Sequence, residues 1–304
     1  MATGYDVSNL SSYTKDSADK LSYLYKMIAT GDSASRFKIQ TGIKSSERIH
    51  ILAASPVIQA QACGFTASAN TTFSDRTITV AKKAVYMKFC EKDLEAFYTQ
   101  LAMKPGSNLD TLTFAEQIVG DITQKISYGR EVWFWQGDTL STDQNLIHSD
   151  GLIKIINAAS GVTTVTPQTW SVANSRTILQ AFYAGLTNDM LAQPNGKIYM
   201  GLSEARDYRI KLGVDNLYHN DGKDSTLKIE NTNIEIVPVN GLSGTKKIYF
   251  LTDENVILGT DLANEEDSYD LFYAKEAREI RFIAEWKEGV QIAHPTLIAQ
   301  MRNT

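Results

Sequence analysis

The clearest periodicity in the chain runs from Thr113 to Gln136. Ala115, Ile118, Val119, Ile122, Ile126, Gly129 and Trp133 recur at helical spacing on one face, and Thr113 with Glu116 forms a capping-box signature. The spacing predicts a helix over 113–136, about 35 Å long. It stops at Gly137-Asp138, and a polar loop runs on to Asp150-Gly151, a boundary between two lobes. Ahead of the helix the period changes to two. Arg48 to Thr66 and Arg76 to Phe89 are rich in β-formers and flank a small-residue tip at 67–72, so a long hairpin is expected over 43–90. Residues 1–42 mix Ser and Thr with short apolar clusters at Leu21, Leu24 and Met27, enough for one modest helix in an arm that must lie on another surface.

Beyond residue 151 helices and strands alternate. A helix is expected over 174–192, with Ile178, Leu179, Phe182, Leu186 and Met190 on one face, and it ends before the turn Pro194-Asn-Gly196. A strand follows over 197–202, then a short helix capped by Ser203 and stopped at Gly213. Further strands are expected at 227–230, 234–239 and 248–251. Two more, Arg278 to Glu285 and Val290 to Met301, read as a hairpin around Lys287-Glu-Gly289. No internal repeat is visible.

The hairpin has a peculiarity of charge. From Ile51 to Ser74 there is no Asp, Glu, Lys or Arg, yet Ser55, Pro56, Gln59, Gln61 and Asn70 break the apolar run, so it is not a membrane span. Two strands cannot bury such a surface between themselves, and natural edges are normally blunted by charge. The hairpin therefore calls for a partner chain, with Ile51, Val57, Phe65, Phe73, Ile78 and Val80 as the contact residues.

Composition changes the picture mainly by exclusion. With 304 residues, 43% hydrophobic and 21% charged, and a net charge of −5, the chain is an ordinary, mildly acidic globular protein large enough for two lobes. Its first ten residues lack a secretory pattern, so an intracellular setting is expected, with Cys63 and Cys90 reduced. There is no glycine-rich phosphate loop. Gly241-Leu-Ser243-Gly misses the nucleophile-elbow spacing and falls between two strands, as a turn. His50, His148, His219 and His294 are scattered without a zinc spacing, and the Asn220–Asp224 stretch lacks a calcium-loop ligand set. The bases form no stripe suited to nucleic acid. No catalytic residue, cofactor or metal ligand is expected.

An arm, a long uncharged hairpin, a spine helix, a mixed lobe and closing strands, in that order, resemble the major capsid protein of tailed bacteriophages, the Hong Kong 97-type capsid fold that encapsulin shells also use. The resemblance covers residues 43–304. It is carried by Glu131-Val-Trp-Phe-Trp-Gln-Gly-Asp138 leading to Asp150-Gly-Leu-Ile-Lys154, by Asn255-Val-Ile-Leu-Gly-Thr-Asp-Leu262, and by Lys287-Glu-Gly-Val-Gln-Ile-Ala-His-Pro295. It implies an α+β chain with an N-terminal arm at 1–42, an extended hairpin (E-loop) at 43–90, a peripheral domain at 91–150 and 269–304 carrying the spine helix, and an axial domain at 151–268. It also implies a function: self-assembly, as pentamers and hexamers, into the icosahedral shell around a double-stranded DNA genome. The shell would be built in the host bacterial cytoplasm and found in the virion. Implied partners are a portal and a separate scaffolding protein, with packaged DNA touched only non-specifically and no membrane. Some members crosslink a hairpin lysine to a neighbour; Lys82 and Lys83 lie in that region, but neither matches the role, and both read as a solvated face. The alternatives are an encapsulin-like compartment, or an enzyme whose site gathers scattered residues such as Asp138, His148 and Glu204.

Overall fold

The computed structural model describes residue 33 and residues 36–55, 70–90, 111–215, 226–261, 269–274, 276–277 and 279–304. The helical part of the expected arm, around Leu21 to Met27, lies outside them. The arm's end does not hang free. Phe37 is buried, and β1 (Lys38–Gln40) lies parallel to a strand of the body, Lys38 facing Ile257.

The hairpin is present, with different strand ends. β2 (Ser46–Ser55) pairs antiparallel with β3 (Asn70–Thr79), from Ser46 opposite Thr79 to Ser55 opposite Asn70. The expected second strand, 76–89, is divided at Val80. Past that residue β4 (Ala81–Cys90) leaves β2 and pairs with the body instead. The reason is burial. Ile78 and Val80 close a small core with Ile43, Ile257 and Ala293, and the Val80 amide donates to the Ser45 carbonyl at 2.9 Å, pinning the bend.

The spine helix, α1 (Thr111–Gln136), begins two residues before the expected cap and ends as predicted. Its last turns enter the core: Trp133, Phe134 and Trp135 are all buried. After the loop come α2 (Leu152–Ala158), β5 (Thr163–Val165), and the expected helix 174–192. That helix is broken into α3 (Ser175–Ala184) and α4 (Asn188–Leu191), because Thr187 caps the Met190 amide and so starts a new helix. β6 (Gly196–Gly201) then leads directly into α5 (Leu202–Val214). Ser203 is not its cap: Gly201 takes that place, while Ser203 bonds Glu204 and the Gly244 amide.

β7 (Leu227–Lys228), β8 (Glu235–Val239) and β9 (Lys247–Thr252) complete one lobe. The turn between β8 and β9 holds Gly241-Leu-Ser243-Gly, as expected for a turn. β10 (Val256–Thr260) and β11 (Tyr269–Ala274) precede β12, which runs unbroken from Glu279 to Ile292. No turn occurs at Lys287-Glu-Gly289. β12 carries β10 along its C-terminal half and β11 along its N-terminal half on one edge, and β4 on the other. The chain closes with β13 (Ala299–Arg302).

Two sheets result. One joins β1, β10, β12, β11 and β4; the other has the order β5-β13-β9-β6-β8-β7. β1, β4 and β10 share a sheet with β11 and β12, and β13 lies among the strands of the 151–268 segment. The six-stranded sheet is buried on both faces, as alternation along its strands requires. Tyr199, Tyr249 and Leu251 face one core, shared with Trp133, Trp135 and α2, whereas Ile198, Met200 and Phe250 face another under α3 and α5. Among the described residues no helix is long and apolar enough to cross a membrane.

Candidate assembly elements

The hairpin stem, the spine helix and β12 meet at one buried charge cluster. Lys83 donates to Glu288 Oε1 at 3.0 Å, Arg130 Nε donates to Glu288 Oε2 at 2.9 Å, and the Trp286 indole donates to Oε1 at 2.9 Å. The Lys83 ammonium also lies over the Trp133 ring. Neither lysine of the hairpin region had been matched to a function, but their settings differ. Lys82 is exposed as expected; Lys83 is not a solvated residue, because the inward face of β4 turns it under the helix.

Glu288 is fully enclosed, which alone would raise its pKa, yet the charges of Arg130 and Lys83 and the hydrogen bonds of Arg130 and Trp286 hold it down at about 2. Burial pushes the Lys83 ammonium down to about 7 against the pull of Glu288. The sign for Glu288 is that of a carboxylate favoured by folding: its contribution is fully present above the ordinary value of 4.5 and is lost as pH falls toward 2. Acid titration of the unassembled subunit is expected to remove about 3 kcal/mol through this group. Urea midpoints measured between pH 5 and pH 2 test it, and a Glu288→Gln subunit should lack that part of the slope.

A second junction ties the end of the arm to the same helix. The Ser33 amide and hydroxyl both donate to Glu131, at 3.1 and 2.6 Å, and the Trp135 indole donates to the Ser33 hydroxyl at 2.7 Å. Gly241 approaches from the β8–β9 turn so closely that a Cβ there would meet the Glu131 carbonyl at 2.5 Å, and Gln136 donates to the Gly241 carbonyl. The spine helix is thus clamped by the arm on one side and the axial lobe on the other.

The six predicted contact residues divide. Ile51 is half-buried on β2, in a cleft beside His50, Glu254 and His294. Phe73 lies on β3 opposite Leu52. Val57 and Phe65 fall outside the described residues. Ile78, fully buried, and Val80 require correction: both face this chain's own core, so they cannot present a surface to a neighbour.

The chemistry that the sequence did not promise is not assembled by the described residues. His50 pairs with Asp75 at 2.9 Å, and His148 and His294 are exposed in separate places. Asp138 is taken by Lys154, and Glu204 is buried under the β8–β9 turn, accepting the Lys246 amide. Among the described residues no three His, Cys, Asp or Glu could hold a metal ion. Ser33, Arg130, Glu131 and Glu288 were missed in the sequence, since each is polar, and only contact over roughly a hundred residues or more reveals its purpose.

No family model matches the sequence, nor does any curated protein. Solved structures do match by shape. A chain of the satellite phage P4 procapsid including the size determination (Sid) protein superposes with a TM-score of 0.60 at 10% identity, over 93% of this chain and 98% of that one. A chain of Gordonia phage Cozz gives 0.60 at 10% identity, over 89% and 85%. The capsid of a native GTA particle gives 0.56 at 12% identity, over 90% of both chains. At such identities the likeness establishes architecture, and with α+β content, projecting hairpin, spine helix and two sheets in this order, the chain has the Hong Kong 97-type capsid fold.

Proposed function

We propose that this chain is a major capsid protein that assembles, as pentamers and hexamers, into the icosahedral shell enclosing the double-stranded DNA of a tailed bacteriophage. The observation that carries it is the extent of the likeness: capsid structures are matched over about nine-tenths of the chain. The physical reading supports it. A two-stranded hairpin without charge from Ile51 to Ser74 needs a neighbour to cover it, and an acidic subunit does not stick to the DNA it encloses. The role is structural, with no acid, base, nucleophile or metal ligand. A portal and a separate scaffolding protein are the expected partners, the host cytoplasm the place of assembly, and the virion the destination.

Negative-stain microscopy of the expressed protein, with scaffold supplied, should show closed shells or capsomers, in which each subunit buries more surface than the standard interface of about 1,600 Å² in total. Light scattering that finds only a stable monomer at high concentration would overturn the proposal. Shells filled with a cargo enzyme and no DNA would point to the compartment alternative.

The hairpin can be tested separately. Phe65→Asp is expected to leave the free subunit's melting unchanged and to block assembly, since an unpaired charge in the contact costs several kcal/mol at every copy. Normal shells from this variant would show that Phe65 faces solvent. Ile78→Asp should instead destabilise the free subunit, because Ile78 lies in the core of the stem.

A further inference from the structure

The six-stranded sheet separates two surfaces that have the character of opposite halves of one contact. On the side of α3 and α5, the outer face of α5 exposes Leu202 (47%), Ile210 (48%) and Val214 (69%) at helical spacing, interleaved with exposed Arg206 and Arg209. The acids of that helix offset the arginines on this face only in part. Glu204 is buried, Asp215 binds Lys211 and Arg176, and Asp207 accepts from the Trp170 indole and meets Arg206 only at 3.7 Å, a long contact to a mostly exposed guanidinium that leaves Arg209 without an acid of this helix beside it. The face is basic and apolar.

On the far side of the sheet, where the spine helix ends, the loop 137–150 contains three aspartates and no Lys or Arg. Its Leu140 is 84% exposed. The leucine is not on a slack segment: Asp138 accepts its amide at 2.8 Å, and Asp150 accepts both the amide and the hydroxyl of Thr139 at 2.9 and 2.8 Å. Lys154 neutralises one charge by bridging Asp138 and Asp150, which leaves the loop acidic, with Asp143 exposed and its carboxylate accepting from Asn145. An apolar knob is thus held out on a fixed turn, with its ordering cost already met by the fold.

We infer that the acidic loop of one copy, led by Leu140, seats against the basic and apolar face of α5 of the next copy. The occupant is a second copy because the two patches are complementary in charge and both expose aliphatic side chains within a single chain, and because they lie on opposite sides of one sheet. A contact between unlike patches on opposite sides runs head to tail, the kind of contact that makes a ring when its rotation closes, as a capsomer requires. Opposite charge on the two halves sets register and steers encounter, and the aliphatic residues supply the buried area. The inference rests on the self-assembly proposed above, and names which surfaces carry it.

The test uses the full chain with scaffold supplied, and three variants followed by light scattering and microscopy. Arg206→Glu with Arg209→Glu should raise the concentration needed for assembly by roughly tenfold or more, while circular dichroism and melting stay those of the parent, both side chains being exposed. Asp143→Lys should weaken assembly less. Combined in one chain, the three substitutions should recover most of the loss, since each copy then offers a reversed but matching pair. If the parent assembles and the double arginine variant assembles equally well, the contact is overturned and the assembly reading stands. Absence of recovery in the combined chain also overturns it. If the parent itself stays monomeric, the assembly reading falls and takes the contact with it.

Discussion

Replacing Glu288 by Gln is expected to destabilise the free subunit by about 3–5 kcal/mol, the cost typical of stranding buried charge by removing its partner. Gln keeps the shape and can still accept from Trp286, so the loss isolates the charge. The two cations would respond differently. Lys83, already pushed down to about 7, can release its proton and remain buried as a neutral amine. A guanidinium cannot, so Arg130, only 11% exposed, carries most of the penalty. The contact also joins three distant segments, β4 at Lys83, α1 at Arg130 and β12 at Glu288. Its loss should therefore loosen the hairpin stem from the spine helix as well as lower the melting point. Guanidinium unfolding of the single variant gives the magnitude. Adding Lys83→Met should recover only the smaller part. A loss below about 1 kcal/mol would mean that water reaches the cluster and screens it.

What could be read from the sequence follows how local the cause of each feature is. The spine helix was legible because its apolar face repeats along more than six turns, and β6, β8 and β9 because each is a short apolar run between turn residues. Most of the misreadings are places where a distant segment decides. A strand pattern over 76–89 hides the bend at Val80, since Ile78 and Val80 alternate as any strand would, and only Ile43, Ile257 and Ala293 turn them inward. Thr187 looked like helix interior until its side chain capped a new turn. The charge cluster was invisible for a related reason: Lys83, Arg130 and Glu288 are ordinary surface residue types, separated by up to 205 positions, and nothing local marks them as partners. Of the proposed contact residues, the uncharged composition of the hairpin was informative about the region. It could not tell the stretch proposed to be covered by another chain from the stem, which this chain covers itself.

Gly289 exposes the same distinction most sharply, and substituting it is expected to have the second large effect. Lys287-Glu-Gly has the composition of a tight turn, yet Gly289 sits in the middle of β12, opposite Gly259 of β10. Its purpose there is steric. The bend of the hairpin stem crosses directly above it, so that an added Cβ would run into the Thr79 carbonyl and approach Val80 Cα to 3.1 Å. These are backbone atoms, fixed by the β2–β3 ladder on one side and the β4–β12 ladder on the other, and no rotamer change can move them aside. Gly289→Ala should therefore cost about 1–3 kcal/mol by overpacking, although alanine is otherwise better suited to a strand than glycine. Gly129 in the spine helix is the matched control, since a Cβ there meets nothing within 4 Å and should stabilise by about 0.5–1 kcal/mol. Thermal melts of the two variants should move in opposite directions. The Gly289 variant should also assemble less well than its stability alone predicts, because relief of the clash tilts the whole hairpin away from β12 and misdirects its uncharged end. If it melts and assembles like the parent, the crossing is loose, and the hairpin's direction is set elsewhere, by the Lys83 cluster or by the neighbour that receives it.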